Sequence, residues 1–457
     1  MDWWALKCQF LFCTAAIWTI AGWHTATASD RTAGEAVADV AVNPGSPEPA
    51  QSVKRGPRWL KWDAEFRGRV ELPSAVEFTA GHNDQLYLHR IRASADIDAA
   101  TWLRLHVQGQ DARAAGFTHS EELSSEVHYL DFRQAYVDFG PRTGAWGVTA
   151  GRQEVALGDE RLVGSDNYWD PLGQTFDGVR LRYQRVRWRL TGFSASVVPG
   201  NQRISVTSHE NRLDGLYLSL DVEKKRGVVL EPYLFHNHKR RVSDVGVVQP
   251  ESDVFTYGAR SAGNLPERLD YTIEMALQGG HKYAKQVSAW AGHWEMGVRP
   301  LGGESGPRFG VEYNVASGDR NPQDGRHTTF DDLYPAGYNK FGMADPFAWR
   351  NVRYVSTGVD WGFHRRWRVS AGYRDFWLHT AKDGLYVEGD DCLTRNPSAS
   401  SGHIGSQTGL MVAWEFSQRW QFYAGYARLF PGQYLVDASY RGHFSSPYFM
   451  LNFKVSE

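Results

Sequence analysis

The sequence predicts an all-β fold, an antiparallel up-and-down β-barrel of eighteen strands crossing a bacterial outer membrane. Three observations carry this. Polar and apolar residues alternate with a period of two from Trp59 onward, short turns alternate with long polar connections, and Trp and Tyr stand near segment ends. Composition agrees: aromatics reach 14% with 18 Trp and 21 Tyr, and Gly numbers 46 among 457 residues. Beyond the first 25 residues no stretch approaches the ~18 consecutive apolar residues of a membrane helix, which excludes a polytopic helical protein. A net charge of −2 excludes a strongly basic nucleic-acid binder. Of the 50 basic residues 39 are Arg, which favours fixed planar donors over flexible ammonium groups.

The chain opens on an apolar stretch from Cys8 to Trp23, preceded by Lys7 and followed by Ala26-Thr27-Ala28. Residues 1–28 read as a secretory signal peptide cleaved after Ala28, the alternative being a short N-terminal anchor helix. Cleavage leaves one cysteine, Cys392, and no internal disulfide. Residues 29–58, with Asn43-Pro44-Gly45-Ser46-Pro47-Glu48-Pro49, form a flexible leader, and 59–457 form the barrel.

The first strand segment sets Asp63, Glu65, Arg67, Arg69 and Glu71 against Ala64, Phe66, Gly68, Val70 and Leu72. The next sets Arg90, Arg92, Ser94 and Asp96 against Ile91, Ala93, Ala95 and Ile97. Arg104, His106, Gln108 and Gln110 likewise oppose Leu103, Leu105 and Val107. Eight short joints follow, at 98–100, 140–144, 185, 223–226, 263–266, 301–306, 364–365 and 417–419. Between them lie nine long connections, at 73–84, 112–128, 155–174, 199–212, 239–252, 279–285, 318–349, 380–406 and 430–443. Seventeen joints connect eighteen strands, with short turns on the periplasmic side and long loops outside. Closure within one chain predicts a monomer in outer-membrane lipid. Trp59, Trp62, Tyr87, Trp102, Trp146, Trp188, Trp361, Trp367, Trp414 and Trp420 fit interfacial girdles. The last strand puts Phe449, Leu451, Phe453 and Val455 on one face.

Two blocks carry a family resemblance. The first is Gly151-Arg152-Gln153-Glu154-Val155-Ala156-Leu157-Gly158-Asp159-Glu160-Arg161-Leu162-Val163-Gly164, with Asn167-Tyr168-Trp169 and Gln174-Thr175-Phe176-Asp177-Gly178-Val179-Arg180-Leu181. The second is Ala316-Ser317-Gly318-Asp319-Arg320-Asn321-Pro322, Phe330-Asp331-Asp332-Leu333-Tyr334-Pro335 and Trp349-Arg350-Asn351-Val352. Over roughly residues 60–457 the chain resembles the alginate export family of outer-membrane barrels. The resemblance implies an eighteen-stranded channel with an Arg-rich lumen that passes a polyuronate.

Guanidinium groups make permanent, bidentate contacts with carboxylates, so rings of them favour anions. The lumenal candidates are Arg67, Arg69, Arg90, Arg92, Arg104, Arg152, Asp177, Arg180, Arg182, Arg366, Arg368 and Arg374. The competing role is wall-building, through pairing with Asp63, Glu65, Glu71, Asp96, Glu154, Asp177, Glu312 and Glu415. The expected solute is an anionic saccharide or related small anion; the alternative is an outer-membrane enzyme or structural barrel with a plugged lumen. Catalysis has no positive support, since no His-Glu-x-x-His, Gly-x-Ser-x-Gly or phosphate loop occurs, and no cofactor is expected. Asp319, Asn321 and Asp324 with Gly325 suggest either a calcium loop or a solvated turn. His236 and His238 share a strand face at metal-ligand spacing but lack an acidic partner nearby in sequence. Segment 318–349, with its Gly and Pro residues, is long enough to gate the mouth or pack over it.

Overall fold

The computed structural model describes residues 59–456 except 120–125, 166–171, 200–203, 243–247, 283, 303–305, 337–339, 341–346, 365 and 389–390. The expected signal peptide and the whole of the leader at 29–58 lie outside the described residues, as do Asn167, Tyr168 and Trp169.

Eighteen long strands form the wall. The first six are β1 (Leu60–Glu71), β2 (Leu86–Ala100), β3 (Leu103–Ala115), β4 (His128–Phe139), β5 (Trp146–Gln153) and β6 (Thr175–Arg185). Next come β7 (Trp188–Val198), β8 (Ser208–Glu223), β9 (Val228–Val242), β10 (Val248–Asn264), β11 (Leu269–Lys282) and β12 (Lys285–Val298). The last six are β13 (Arg308–Ala316), β14 (Val352–His364), β15 (Trp367–Leu378), β16 (His403–Glu415), β17 (Trp420–Pro431) and β18 (Ser445–Ser456). Each pairs antiparallel with its sequence neighbours, and β1 pairs with β18, so the sheet closes. Closure leaves no sheet edge in lipid, where an unpaired backbone group costs several kcal/mol. Arg67 Nε donates to Asn452 Oδ1 across this seam at 3.0 Å.

Alternation sets the two faces. Val70, Ile91, Leu181, Leu216, Leu234, Ile273, Met275, Val311 and Phe449 are exposed on the outside. Arg67, Arg90, Gln110, Glu274, Glu312 and Arg374, on the opposite parity, are buried within. The girdle expectation holds in placement: Trp59, Trp62, Tyr87, Trp102, Trp146, Trp361 and Trp414 are exposed, and Trp367 stacks on Trp414 at 5.0 Å. One expected connection differs. Strands β11 and β12 run to Lys282 and restart at Lys285, so 279–285 is a tight hairpin, not a long loop. Its Gly279 and Gly280 read as loop residues in sequence, yet both pair in the ladder, opposite Phe255 and Val254.

The long connections fold inward. Phe330, Trp349, Leu385, Tyr434 and Leu435 join the inward-facing strand residues Phe176, Tyr354, Phe376, Ile404 and Leu429 in one buried apolar cluster. Connection 380–402 contributes a small hairpin, Leu385–Glu388 with Asp391–Thr394, and the connection after β17 a short helix, Gln433–Asp437. Burying a Trp or Phe of this kind is worth roughly 3–5 kcal/mol against Ala, so the connections are held firmly in place.

Candidate functional site

The two blocks that carried the resemblance meet inside the long-loop end. Tyr334 N donates to Leu162 O at 2.9 Å and Gly164 N to Tyr334 O at 2.8 Å, a parallel bridge between the two connections. Within the second block Arg350 lies 2.7 Å from Asp331 and 2.8 Å from Asp332, and Trp349 N donates to Asp332 Oδ2 at 3.2 Å. Asn351 donates to the carbonyls of Thr380 and Gly384, both at 2.9 Å, and accepts from Thr380 N. Gly318 is required there, because a Cβ would sit 1.9 Å from Asn351 Oδ1. Burial alone would raise the Asp331 carboxyl, but the charges of Arg350, Lys239 and Lys282 outweigh it and hold it well below the usual range. Within segment 318–349, Phe330, Leu333 and Trp349 therefore pack against the inner wall, while residues 320–326 stay exposed.

Beneath this layer the arginines divide into three groups. Arg67, Arg69, Arg90, Arg92 and Arg374 are buried on the inner face and engaged. Glu65 pairs with Arg90 and lies 3.6 Å from Arg67, Arg69 is 2.6 Å from Glu71, and Arg374 is 3.8 Å from Glu312. Arg92 donates to Gln110 Oε1 at 2.5 Å and to the Leu172 carbonyl at 3.1 Å. Arg133 donates to the same carbonyl at 2.8 Å and pairs with Glu154. Two guanidinium groups on one carbonyl clamp the 154–174 connection to the wall.

Arg104, Arg180, Arg182 and Arg368 form the second group, on the inner face nearer the short turns and partly exposed. Arg104 pairs with Asp138, in a row that continues through Thr149 to Arg180 across β3–β6. Arg180 donates to the Glu154 carbonyl at 3.3 Å, and Arg182 to Gln184 Oε1 at 3.3 Å. Gly147 opposite Arg182 leaves room for that side chain, since a Cβ would lie 3.0 Å from its terminal nitrogen. Arg189 stands opposite Gln184 on the next strand. Among the described residues no carboxylate lies within ion-pair distance of Arg180, Arg182 or Arg189. All three stand on the inner face of β6 and β7, where the charges of Asp138 and Glu154 act on Arg180 and those of Asp221 and Glu231 on Arg189 from beyond contact distance.

The third group departs from the lumenal expectation. Arg152 shares the parity of Trp146 and Val148, and its partner Asp177 that of Val179 and Leu181, so the pair stands on the outer face. Arg152 grips Asp177 with two bonds of 2.8 Å and also donates to the Ser205 carbonyl at 3.1 Å. At the strand end, where the lipid band gives way to headgroups, such a pair costs little. Arg366 lies exposed in the short turn between β14 and β15, donating to the Phe416 carbonyl at 3.5 Å. The calcium-loop candidates also resolve differently. Asp319, Asn321 and Asp324 each accept the backbone N–H two residues on, at 3.0, 3.3 and 2.9 Å, closing ordinary turns.

Sequence reasoning missed Arg133, Arg161, Arg189, Arg260 and Arg308. A bulge between the Gln108–Gln134 and Gly109–Phe132 pairs brings Arg133 inward beside Gln134, against alternation. Arg161 comes from a loop, 3.5 Å from both Asp159 and Glu312. Arg260 pairs with Glu231 at 2.5 Å, and Arg308 pairs with Asp270 and Glu295. These arginines of β9–β13 and the 155–174 connection are thus charge-paired, unlike Arg180, Arg182 and Arg189 on β6 and β7.

The sequence matches the alginate export family over residues 58–443. No curated protein matches it. Among solved structures the fold is similar to three Pseudomonas aeruginosa proteins, each 12% identical over 87% of this chain. OpdK, solved with vanillate, gives a TM-score of 0.61 over 99% of its own chain. OccD3 (OpdP) gives 0.60 over 92%, and OccK11 (OpdR) 0.59 over 96%.

Proposed function

The chain belongs to the alginate export family, and on that footing we propose that it is an outer-membrane channel for an anionic saccharide or a related small anion. The observation that carries the reading is the group Arg180, Arg182 and Arg189, on one lumenal wall without carboxylate partners in contact. A carboxylate-bearing solute would exchange part of its hydration for these donors while passing. The vanillate solved with OpdK is a small carboxylate of the same charge class. Arg67, Arg90, Arg92 and Arg133 act in this reading as wall and loop clamps, leaving selectivity to the half of the lumen nearer the short turns. The working unit is a monomer in outer-membrane lipid, needing no cofactor.

One observation favours a second reading. The apolar layer of Phe330, Trp349, Leu385 and Tyr434 fills part of the long-loop end, as a structural barrel with a plugged lumen would require. Planar-bilayer recording separates the two. A channel gives stable conductance with anion preference, reduced by oligouronate added on one side. Absence of any conductance from folded, heat-modifiable protein would leave only the plugged barrel.

A further inference from the structure

The pair His236 and His238, set two residues apart on β9, acquires an acidic partner that only the fold supplies. Strand β10 brings back Asp253 in register with His238, seventeen residues along the chain from His236. One ligand atom from each of the three side chains lies within 4.8 Å of the other two. All three are partly exposed on the outer face. They stand at the long-loop end of a band whose next outward residues are Leu234, Phe255 and Tyr257, so the cluster sits just above the apolar belt. The lumen plays no part in it.

We propose that His236, His238 and Asp253 form a binding site for a zinc-class divalent transition metal. Two imidazoles and one carboxylate are the ligand set that zinc takes with water in its fourth position, whereas calcium and magnesium demand oxygen ligands throughout. Ligands on one zinc ion stand about 3.4 Å apart at the tetrahedral angle, so modest side-chain rotations draw these three together. His236 Nε2 already faces Asp253 Oδ1 at 2.5 Å, which points that nitrogen at the would-be metal position. Its other nitrogen, Nδ1, faces Asp214 Oδ2 on β8 at 3.9 Å. That is the arrangement in which a carboxylate orients a metal-binding imidazole from behind. The ring of Phe255 stacks on His236 at 4.2 Å and 6°, limiting its rotation to the plane the site needs. A bound ion would cross-link β9 to β10 at the end where their hairpin opens into its connection.

The test uses untagged full-length barrel in detergent with Cys392→Ser, because Cys392 is an exposed free thiol that would itself bind zinc. Chelator-treated protein is titrated with Zn²⁺ in competition with a chromogenic chelator, and heat-modifiable mobility confirms folding of each variant. One equivalent should bind at micromolar affinity or tighter. His236→Ala and His238→Ala should each weaken binding at least tenfold, as should the near-isosteric Asp253→Asn. Asp214→Asn should cost about tenfold, within the range seen for orienting partners. Folded protein that binds no zinc would overturn the proposal and leave His236–Asp253 an ion pair only. So would zinc binding that survives all three ligand substitutions unchanged.

Discussion

Neutralising Arg180 and Arg182 together, as Arg180→Gln and Arg182→Gln, is the sharpest test of the proposed channel. Glutamine keeps a donor for the Glu154 carbonyl and for Gln184, so the wall geometry is preserved while two charges are lost. No carboxylate contacts either guanidinium, so neither substitution strands an ion-pair partner. For an anion passing about 7 Å away, one unit charge in water-like surroundings contributes roughly 0.6 kcal/mol. At ~0.01 M salt, where the Debye length is about 30 Å, some 0.5 kcal/mol of this survives. The same charge disfavours a cation equally, so anion-over-cation permeability should fall about fivefold for either single variant and about twenty-five-fold for the pair. At 1 M salt, with a Debye length near 3 Å, the difference should vanish. Reversal potentials under a salt gradient in planar bilayers give the ratio directly. An unchanged ratio at low salt, in a double variant that migrates as folded barrel, would refute the assignment of these arginines to the passage.

Arg152→Gln should leave the same ratio untouched, because the Arg152–Asp177 pair is on the outer face; its partly exposed bond contributes about 0–1 kcal/mol, read as a small drop in the heat-modifiability midpoint. Arg350→Ala takes the guanidinium from buried Asp332 and leaves Asp331 to Lys239 and Lys282 at 3.8 and 3.9 Å; it should cost roughly 3–5 kcal/mol locally, seen as protease cutting within 318–349 while the barrel stays folded. The Asp331 carboxyl is depressed in the folded protein, so its contribution is complete above the unfolded value of ~3.9 and lost as pH falls below that. Protease protection of this segment should accordingly weaken only below about pH 4, and Asp331→Asn should flatten that dependence. N-terminal sequencing of the exported protein should begin at Ser29, and retention of Lys7 would instead indicate an N-terminal anchor.

Much of the wall was legible in the chain. Period-two alternation and alternating joint lengths identify all eighteen strands, because one face of each strand meets lipid and the other does not, and that contrast is written locally. Exposed Trp at segment ends marks the interfaces for the same reason. Alternation fails where the contrast fades. The inward residues of β5 are Gly147, Thr149, Gly151 and Gln153, too small or too weakly polar to betray their side, so Arg152 reads as lumenal when it is not. It fails again at the β4 bulge, where one extra residue turns Arg133 inward. Contacts between distant segments leave no local trace at all. Nothing near Leu172 announces that its carbonyl will take Arg92 and Arg133, and nothing near His236 announces Asp253. A one-dimensional pattern records which side of a strand avoids water. Which arginines remain without a carboxylate, and which loops fill the mouth, depends on closure bringing β1 to β18 and folding the connections inward, and only the tertiary structure decides that.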